Sequence, residues 1–127
     1  MSEAIMARAR ACLGARFRPQ GRSVADGMDC IGLAGIALGI SELPRDYVLR
    51  STGAKRVRAF AEAAGLRLIA ADTAKAGDVL MAETGPGLIH LLVLTGTGFI
   101  HADAGLRRVV ETPGRPPWPV LAAWRQD

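Results

Sequence analysis

Apolar residues follow a helical spacing in the first half of the chain and a strand-like spacing in the second. The helical part predicts three helices, which run from Ser2 to about Leu13, from Cys30 to Leu38 and from about Thr52 to Ala64. A serine N-cap starts the first helix, and a glycine follows the end of each. The second helix is apolar on nearly all sides, so we expect the rest of the fold to enclose it.

The second half contains short runs of β-type residues separated by Gly, Pro or Thr-Gly turns. These runs predict five strands, at residues 78–82, 88–95, 98–102, 107–111 and 120–125. Residues 95–98 predict a hairpin turn, residues 15–28 a long loop and the Pro-rich residues 112–119 a surface connection. Helices followed by an antiparallel meander indicate an α+β fold, with N-terminal helices packed on a C-terminal antiparallel sheet.

Composition favours a single domain that spans residues 1–127. Half of the 127 residues are hydrophobic, and no shift in composition suggests a second domain. The N-terminus lacks the apolar core of a secretory signal, and no apolar stretch is long enough to cross a membrane. We therefore expect synthesis in the cytoplasm, no membrane insertion, and reduced thiols at Cys12 and Cys30.

The net charge of +4 comes almost entirely from arginine, since only Lys55 and Lys75 are lysines among the 16 basic residues. The arginines are scattered along the chain. There is no long basic run and no interleaving of basic and aromatic residues of the kind that binds single-stranded nucleic acid. We expect no nucleic-acid partner and only a weak attraction to anionic polymers.

The stretch Asp29-Cys30-Ile31-Gly32-Leu33 places a cysteine in the first turn of the predicted second helix. The partial positive charge of a helix N-terminus lowers the pKa of a thiol there, which would supply a thiolate nucleophile at neutral pH. Asp29 suits the N-cap position, and Gly32 permits another segment to approach closely. The alternative is that Cys30 is only a small buried hydrophobic residue.

Two histidines lie downstream on apolar segments. His90 is in an apolar strand, and His101 lies across the predicted hairpin turn, so the two imidazoles could meet on one face of the sheet. This pattern predicts a relay in which Cys30 attacks, His90 transfers the proton and His101 orients His90. Asp103 is a second candidate for the orienting role, and a core histidine bonded to the backbone is the alternative for His90.

One cysteine and two histidines could also bind a catalytic zinc ion. The chain has two cysteines and two histidines in all and no Cys-x-x-Cys pair, so it lacks the usual structural and deaminase-type zinc frameworks. We therefore favour thiol catalysis, with no metal and no cofactor.

These segments resemble the bacterial NlpC-type cysteine peptidases, papain-like enzymes that cut the peptide stems of the cell wall. The resemblance spans most of the chain and rests on the order of five segments: Gly14 with Phe17, Asp29-Cys30-Ile31-Gly32-Leu33, Ala76-Gly77-Asp78-Val79, His90-Leu91-Leu92-Val93 and Phe99-Ile100-His101-Ala102. It implies a papain-like fold, Cys30 as the nucleophile, His90 as the base and His101 as the third polar residue.

The resemblance also implies substrate contacts, and the chain departs from the family near them. Asp29 would help to hold the free amine of the stem peptide, but Ile31 replaces the serine that usually follows the cysteine. Phe17 stands where the family usually has a tyrosine, so a hydroxyl group near the thiol is missing. The resemblance therefore indicates the reaction type more sharply than the substrate.

The short form without a signal peptide resembles the subgroup encoded beside the tail genes of phages and gene-transfer particles. That subgroup implies particle proteins as partners and delivery of the peptidase to the periplasm or cell wall, where peptidoglycan stems are the substrate. Two other functions stay open. They are a non-catalytic tail-assembly or wall-binding module with the same fold, and a papain-like amidase that acts on another amide.

Overall fold

The computed structural model describes residues 2–43 and 53–127 as a set of helices followed by an antiparallel sheet. The helices in these ranges are α1 (Ser2–Arg10), α2 (Cys30–Leu38) and α3 (Gly53–Ala63). The strands are β1 (Arg22–Ser23), β2 (Gly27–Met28), β3 (Arg67–Ile69), β4 (Val79–Gly85), β5 (Leu88–Leu94), β6 (Gly98–Asp103), β7 (Arg108–Pro113) and β8 (Val120–Arg125). The α+β fold expected from the sequence is confirmed.

Local capping sets the bounds of α2, which begins and ends at the predicted residues. The side chain of Asp29 accepts a hydrogen bond from the N–H of Gly32 at 2.9 Å, and Gly39 ends the helix in a left-handed conformation with φ 72°. A side chain at position 32 would collide with the carbonyl oxygen of Gly21. The glycine after the cysteine therefore lets a neighbouring segment pack directly on the start of α2.

The other two helices differ slightly from the prediction. α1 ends at Arg10 rather than Leu13, because the N–H groups of Cys12 and Leu13 donate to carbonyls three residues back and form turns instead of a further helical turn. Ser2 is the first residue of α1 rather than its cap. The predicted start of the third helix, Thr52, lies outside the described residues, and α3 ends at Ala63.

Six strands form one antiparallel sheet in the order β3-β8-β4-β5-β6-β7. The five predicted strands correspond to β4 through β8, and β4 to β7 form the predicted meander. In the predicted hairpin turn, the N–H of Thr95 donates to the carbonyl of Gly98 at 2.8 Å. β8 does not extend the meander but returns to pair with β4, a tertiary pairing that local spacing does not encode.

The sequence pattern does not predict β1, β2 or β3. The supposed long loop at residues 15–28 contains the β1–β2 hairpin, and isolated bridges join Arg16 to Arg108 and Phe17 to Met28. The segment predicted as a long loop therefore also contains two short strands. β3 is an edge strand paired only with β8, and two of its three residues are exposed, which leaves little hydrophobic pattern to recognise.

The sheet opens between β5 and β6. These strands pair only at Val93 with Ile100 and at Leu94 with Phe99, whereas β6 and β7 pair along six successive residues. His90 and His101 lie outside this short β5–β6 pairing, although His90 still pairs with Ala82 of β4 and His101 with Val110 of β7. Both histidines therefore border the opening between β5 and β6.

The larger apolar cluster lies between the helices and one face of the sheet. α2 packs against α1 and β5 and contributes buried side chains such as Cys30 and Leu33. A smaller cluster on the other face comprises Leu80, Ala82, Leu92, Phe99 and Ala123, with Trp118 packed against it. None of the helices in the described ranges combines the length and apolar character needed to cross a membrane.

Candidate active site

A cleft of about 290 Å³ brings the three predicted catalytic residues together. Its walls come from the start of α2, the parts of β5 and β6 that do not pair with each other, and the chain segment before β8. The residues that matter most to its chemistry are Phe17, Cys30, His90, His101 and Trp118. Of the two residues predicted to contact substrate, Phe17 lines this cleft and Asp29 does not.

Cys30 is the first residue of α2, and its side chain is almost fully buried, with 2% of the residue exposed. Burial raises the pKa of the Cys30 thiol to about 12, although backbone hydrogen bonds from Leu91, Cys30 and Ile31 act in the opposite direction. The expectation that the helix N-terminus would supply a thiolate at neutral pH is therefore wrong, because desolvation outweighs the amides. The resting residue is a neutral thiol.

His90 faces the same cleft from β5. Its Nε2 lies 2.8 Å from Nδ1 of His101, a hydrogen-bonding distance, so its Nδ1 is the ring nitrogen left for another group. Burial lowers the pKa of His90 to about 4, and the neighbouring His101 adds to this effect. His90 is therefore a neutral imidazole at physiological pH, able to accept a proton.

His101 continues the hydrogen-bonded chain away from the thiol. It is 4% exposed, and burial lowers its pKa as well. Its Nε2 lies 3.3 Å from Oγ1 of Thr112 on β7. The three side chains His90, His101 and Thr112 thus form a continuous polar chain that crosses the opening in the sheet.

The geometry favours His101 over Asp103 as the group that orients His90. Asp103 Oδ1 accepts hydrogen bonds from the N–H groups of Gly105 at 2.8 Å and Leu106 at 3.2 Å, which fixes the turn after β6. Asp103 still lines the cleft, and its charge raises the pKa values of both histidines in opposition to burial.

Trp118 covers the histidine pair. Its ring centroid lies 5.7 Å from that of His90 and 5.7 Å from that of His101. The Pro-rich segment that carries Trp118 lies at the surface, as expected, but it also places an aromatic wall on the site. Its single tryptophan among prolines was the signal available in the sequence.

Asp29 caps the start of α2 and does not line the cleft. Its carboxylate accepts hydrogen bonds from the N–H groups of Gln20 at 2.7 Å and Gly32 at 2.9 Å, and it forms an ion pair with Arg22 at 3.2 Å. Only 2% of the residue is exposed. The observed contacts of Asp29 are those of a structural cap, so they give no support to the predicted contact with a substrate amine.

Ile31 points away from the cleft. It lines a separate apolar cavity together with Ala34, Val79 and Leu91 and belongs to the larger core cluster. Ile31 therefore fills the core. In residues 2–43 and 53–127, no three His, Cys, Asp or Glu side chains are grouped so as to hold a metal ion, which leaves the zinc alternative without a ligand set in this part of the chain.

No family model and no curated protein matches this chain. Among solved structures, NlpC1 from Trichomonas vaginalis matches with a TM-score of 0.69 and 22% identity over 98% of this chain and 45% of that one. The P60 domain of antigen MAP1204 from M. avium subspecies paratuberculosis matches with a TM-score of 0.65 and 22% identity over 97% and 91% of the two chains.

The NlpC/p60 domain of the peptidoglycan hydrolase SagA matches with a TM-score of 0.62 and 23% identity over 89% of both chains. This chain therefore spans less than half of the Trichomonas protein but nearly the full length of the two isolated domains. The chain has the papain-like α+β fold of the NlpC/P60 domains.

Proposed function

We propose that this protein is a cysteine peptidase that hydrolyses an amide bond in peptidoglycan stem peptides. The observation that carries the proposal is one cleft in which the Cys30 thiol lies with His90, whose ring is held by His101 at 2.8 Å. Peptidoglycan as substrate is supported by the shared fold with the NlpC/p60 domain of the peptidoglycan hydrolase SagA and by the sequence resemblance described above.

The reaction starts from a neutral thiol and a neutral imidazole. As the sulfur of Cys30 attacks the scissile carbonyl carbon, His90 Nδ1 takes the thiol proton, and the carbonyl oxygen becomes an oxyanion. Backbone N–H groups at the start of α2, including that of Cys30, stabilise this charge. His90 then gives the proton to the leaving amine as the C–N bond breaks, which leaves an acyl group on the sulfur.

Water completes the cycle. His90 takes a proton from the water molecule that attacks the thioester, the C–S bond breaks, and the sulfur recovers a proton from His90. The products are a carboxylic acid, a free amine and the original thiol. Since burial disfavours charge on both Cys30 and His90, proton transfer accompanies the attack rather than preceding it.

The cleavage test compares the parent protein with Cys30→Ala and a matched control, Cys12→Ala, each incubated with peptidoglycan fragments. Cys12 is also a buried free cysteine, but it does not line the cleft. New peptide termini are followed by mass spectrometry. We expect cleavage by the parent and by Cys12→Ala only, and cleavage by Cys30→Ala would overturn the assignment of the nucleophile.

A second candidate is a wall-binding or tail-assembly module without turnover. It is supported by the high pKa of Cys30 and by Phe17, which brings no hydroxyl group to the cleft. This candidate predicts that the parent protein binds peptidoglycan fragments but releases no new termini. Neither binding nor cleavage would instead favour an amidase that acts on another amide.

Delivery by a phage tail or gene-transfer particle, after synthesis in the cytoplasm, stays a prediction that rests on the sequence resemblance alone. A single domain over residues 1–127 also stays a prediction, and it rests on length and composition. Mass spectrometry of purified particles from the host strain tests the delivery, because a particle component should co-purify in constant proportion to the tail proteins.

A further inference from the structure

Thr112 lies beyond His101, on the side away from His90. Its position is fixed by the ladder between β6 and β7, in which Thr112 pairs with Phe99. His101 is two residues from Phe99 and on the same face, so Thr112 is its diagonal neighbour across the strands. This arrangement brings Oγ1 of Thr112 to 3.3 Å from Nε2 of His101.

The hydrogen bonds between the two rings allow only two proton arrangements. A neutral imidazole carries one ring proton, so each ring donates through one nitrogen and accepts through the other. If His90 donates from Nε2 to His101 Nδ1, then His101 must carry its proton on Nε2 and donate it to Thr112. If every bond is reversed, Thr112 donates to His101, and His90 carries its proton on Nδ1.

Only the first arrangement allows His90 to act as a base. His90 Nε2 is occupied by His101, so a proton from the thiol must be accepted at Nδ1. That nitrogen is free of a proton when the chain of hydrogen bonds runs from His90 through His101 to the hydroxyl oxygen of Thr112. The reversed chain would leave His90 unable to accept a proton.

Water cannot readily replace Thr112 in this role. His101 is 4% exposed, and the rings of Phe99 and Trp118 lie against it with centroid distances of 4.9 and 5.7 Å. A buried N–H group that loses its only acceptor is costly, so a ring without the hydroxyl partner would favour another tautomer or orientation.

We propose that Thr112 is a positioning residue that accepts a hydrogen bond from His101 Nε2 and so holds His90 in the tautomer with a free Nδ1. The choice of this proton arrangement rests on the proposed role of His90 as the base, and the arrangement can be observed without substrate. Its catalytic consequence rests on the proposed function.

The test is ¹⁵N NMR of the imidazole nitrogens in the parent protein, Thr112→Ser and Thr112→Val at pH 7.5, where both rings are neutral. Thr97→Val is a matched control, because it makes the same change at an exposed turn residue. We expect protonated Nε2 atoms on both histidines in the parent, Thr112→Ser and Thr97→Val. Thr112→Val should show a shifted or mixed tautomer at His101 and His90.

A His101 Nε2 that carries no proton in the parent would overturn the proposal, as would a parent-like spectrum in folded Thr112→Val. If Thr112→Val does not fold, the spectra of the parent and Thr112→Ser still decide the direction of the hydrogen bond. In the cleavage assay we expect kcat to fall about 10-fold in Thr112→Val with KM unchanged, and to recover in Thr112→Ser. Because the spectra need no substrate, absence of cleavage by the parent would contradict the proposed function without touching the tautomer result.

Discussion

Burial opposes charge on both the thiol of Cys30 and the imidazole of His90. The pKa of the first is raised to about 12 and that of the second is lowered to about 4. An ion pair between thiolate and imidazolium would need both shifts to be reversed. The neutral Cys30–His90 pair therefore distinguishes this site from cysteine sites in which the thiolate forms before the substrate binds.

We predict that alkylation of Cys30 by iodoacetamide accelerates steadily as pH rises from 6 to 10, because the reactive thiolate fraction is still increasing throughout this range. The rate is measured by mass spectrometry in Cys12→Ala, so that only one thiol reacts. A rate that is already maximal at pH 6 and stays constant would contradict the neutral resting state.

The side chain of Ile31, next to the thiol in sequence, contributes to packing rather than to the cleft. We predict that Ile31→Ser lowers the free energy of unfolding by about 2–4 kcal/mol, since it empties space in the core and buries a hydroxyl group. Ile31→Val, the conservative control, should cost about 1 kcal/mol. Both are measured by urea unfolding, and an Ile31→Ser protein as stable as the parent would contradict the core position of this side chain.

At the scale of the element, α2 depends on the buried carboxylate of Asp29. Its bonds to Gly32 and Gln20 and its ion pair with Arg22 join the helix start to the preceding segment. We predict that Asp29→Ala lowers the free energy of unfolding by about 3–5 kcal/mol, because Arg22 keeps its charge with this partner lost. Asp29→Asn should cost less, since it keeps an oxygen that can cap the helix.

The matched control is Asp127→Ala, which removes an ion pair with Arg67 in which both side chains are largely exposed. Exposed pairs contribute about 0–1 kcal/mol, so this variant should unfold close to the parent. Chemical denaturation of the three variants compares them directly. If Asp29→Ala and Asp127→Ala lowered the free energy of unfolding equally, burial would not strengthen the contacts of Asp29.

The elements that the sequence predicted well are those whose signals are local. α2 has its cap and its terminating glycine within the segment itself, so both ends were predicted correctly. β3 has no such signal, because it is short and Leu68 is 62% exposed. The pairing of β8 with β4 could not be predicted either. Both segments have ordinary strand patterns in the sequence, and these patterns do not specify which strands pair with each other.

At the scale of the whole molecule, the site depends on contacts between distant segments. Cys30, His90 and His101 could be found in the sequence because a cysteine at a helix start and histidines in apolar strands are unusual on their own. Thr112 could not, because its role comes from the register of β7, and the only sequence signal for Trp118 was its place among prolines. The cleft itself exists because the β5–β6 ladder stops early.

The buried His101 and the half-buried His90 also tie the stability of the fold to pH. Their pKa values are lower in the folded state than the usual 6.5, so the unfolded chain takes up protons first as pH falls. The contribution of these histidines to the free energy of unfolding is fully present above pH 6.5 and is lost as the pH falls toward 4. We predict a loss of about 3 kcal/mol from His90 over this range.

Urea unfolding at a series of pH values measures this loss in the parent protein and in His90→Gln. The difference in unfolding free energy between the two proteins should shrink or change sign as pH falls from 6.5 to 4, because the variant has no imidazole to protonate at this position. A constant difference over the whole range would show that His90 titrates normally in the folded protein.

The central claim is that Cys30 carries the acyl half of a cleaved wall peptide, and interception by hydroxylamine tests it most directly. Hydroxylamine attacks a thioester to give a hydroxamate and the free thiol. Peptidoglycan fragments are therefore incubated with the protein and hydroxylamine, and the products are identified by mass spectrometry. We predict a hydroxamate of the acyl half with the parent and with Cys12→Ala, and none with Cys30→Ala. Cleavage by the parent that yields only the free acid, or a hydroxamate formed by Cys30→Ala, would contradict the account.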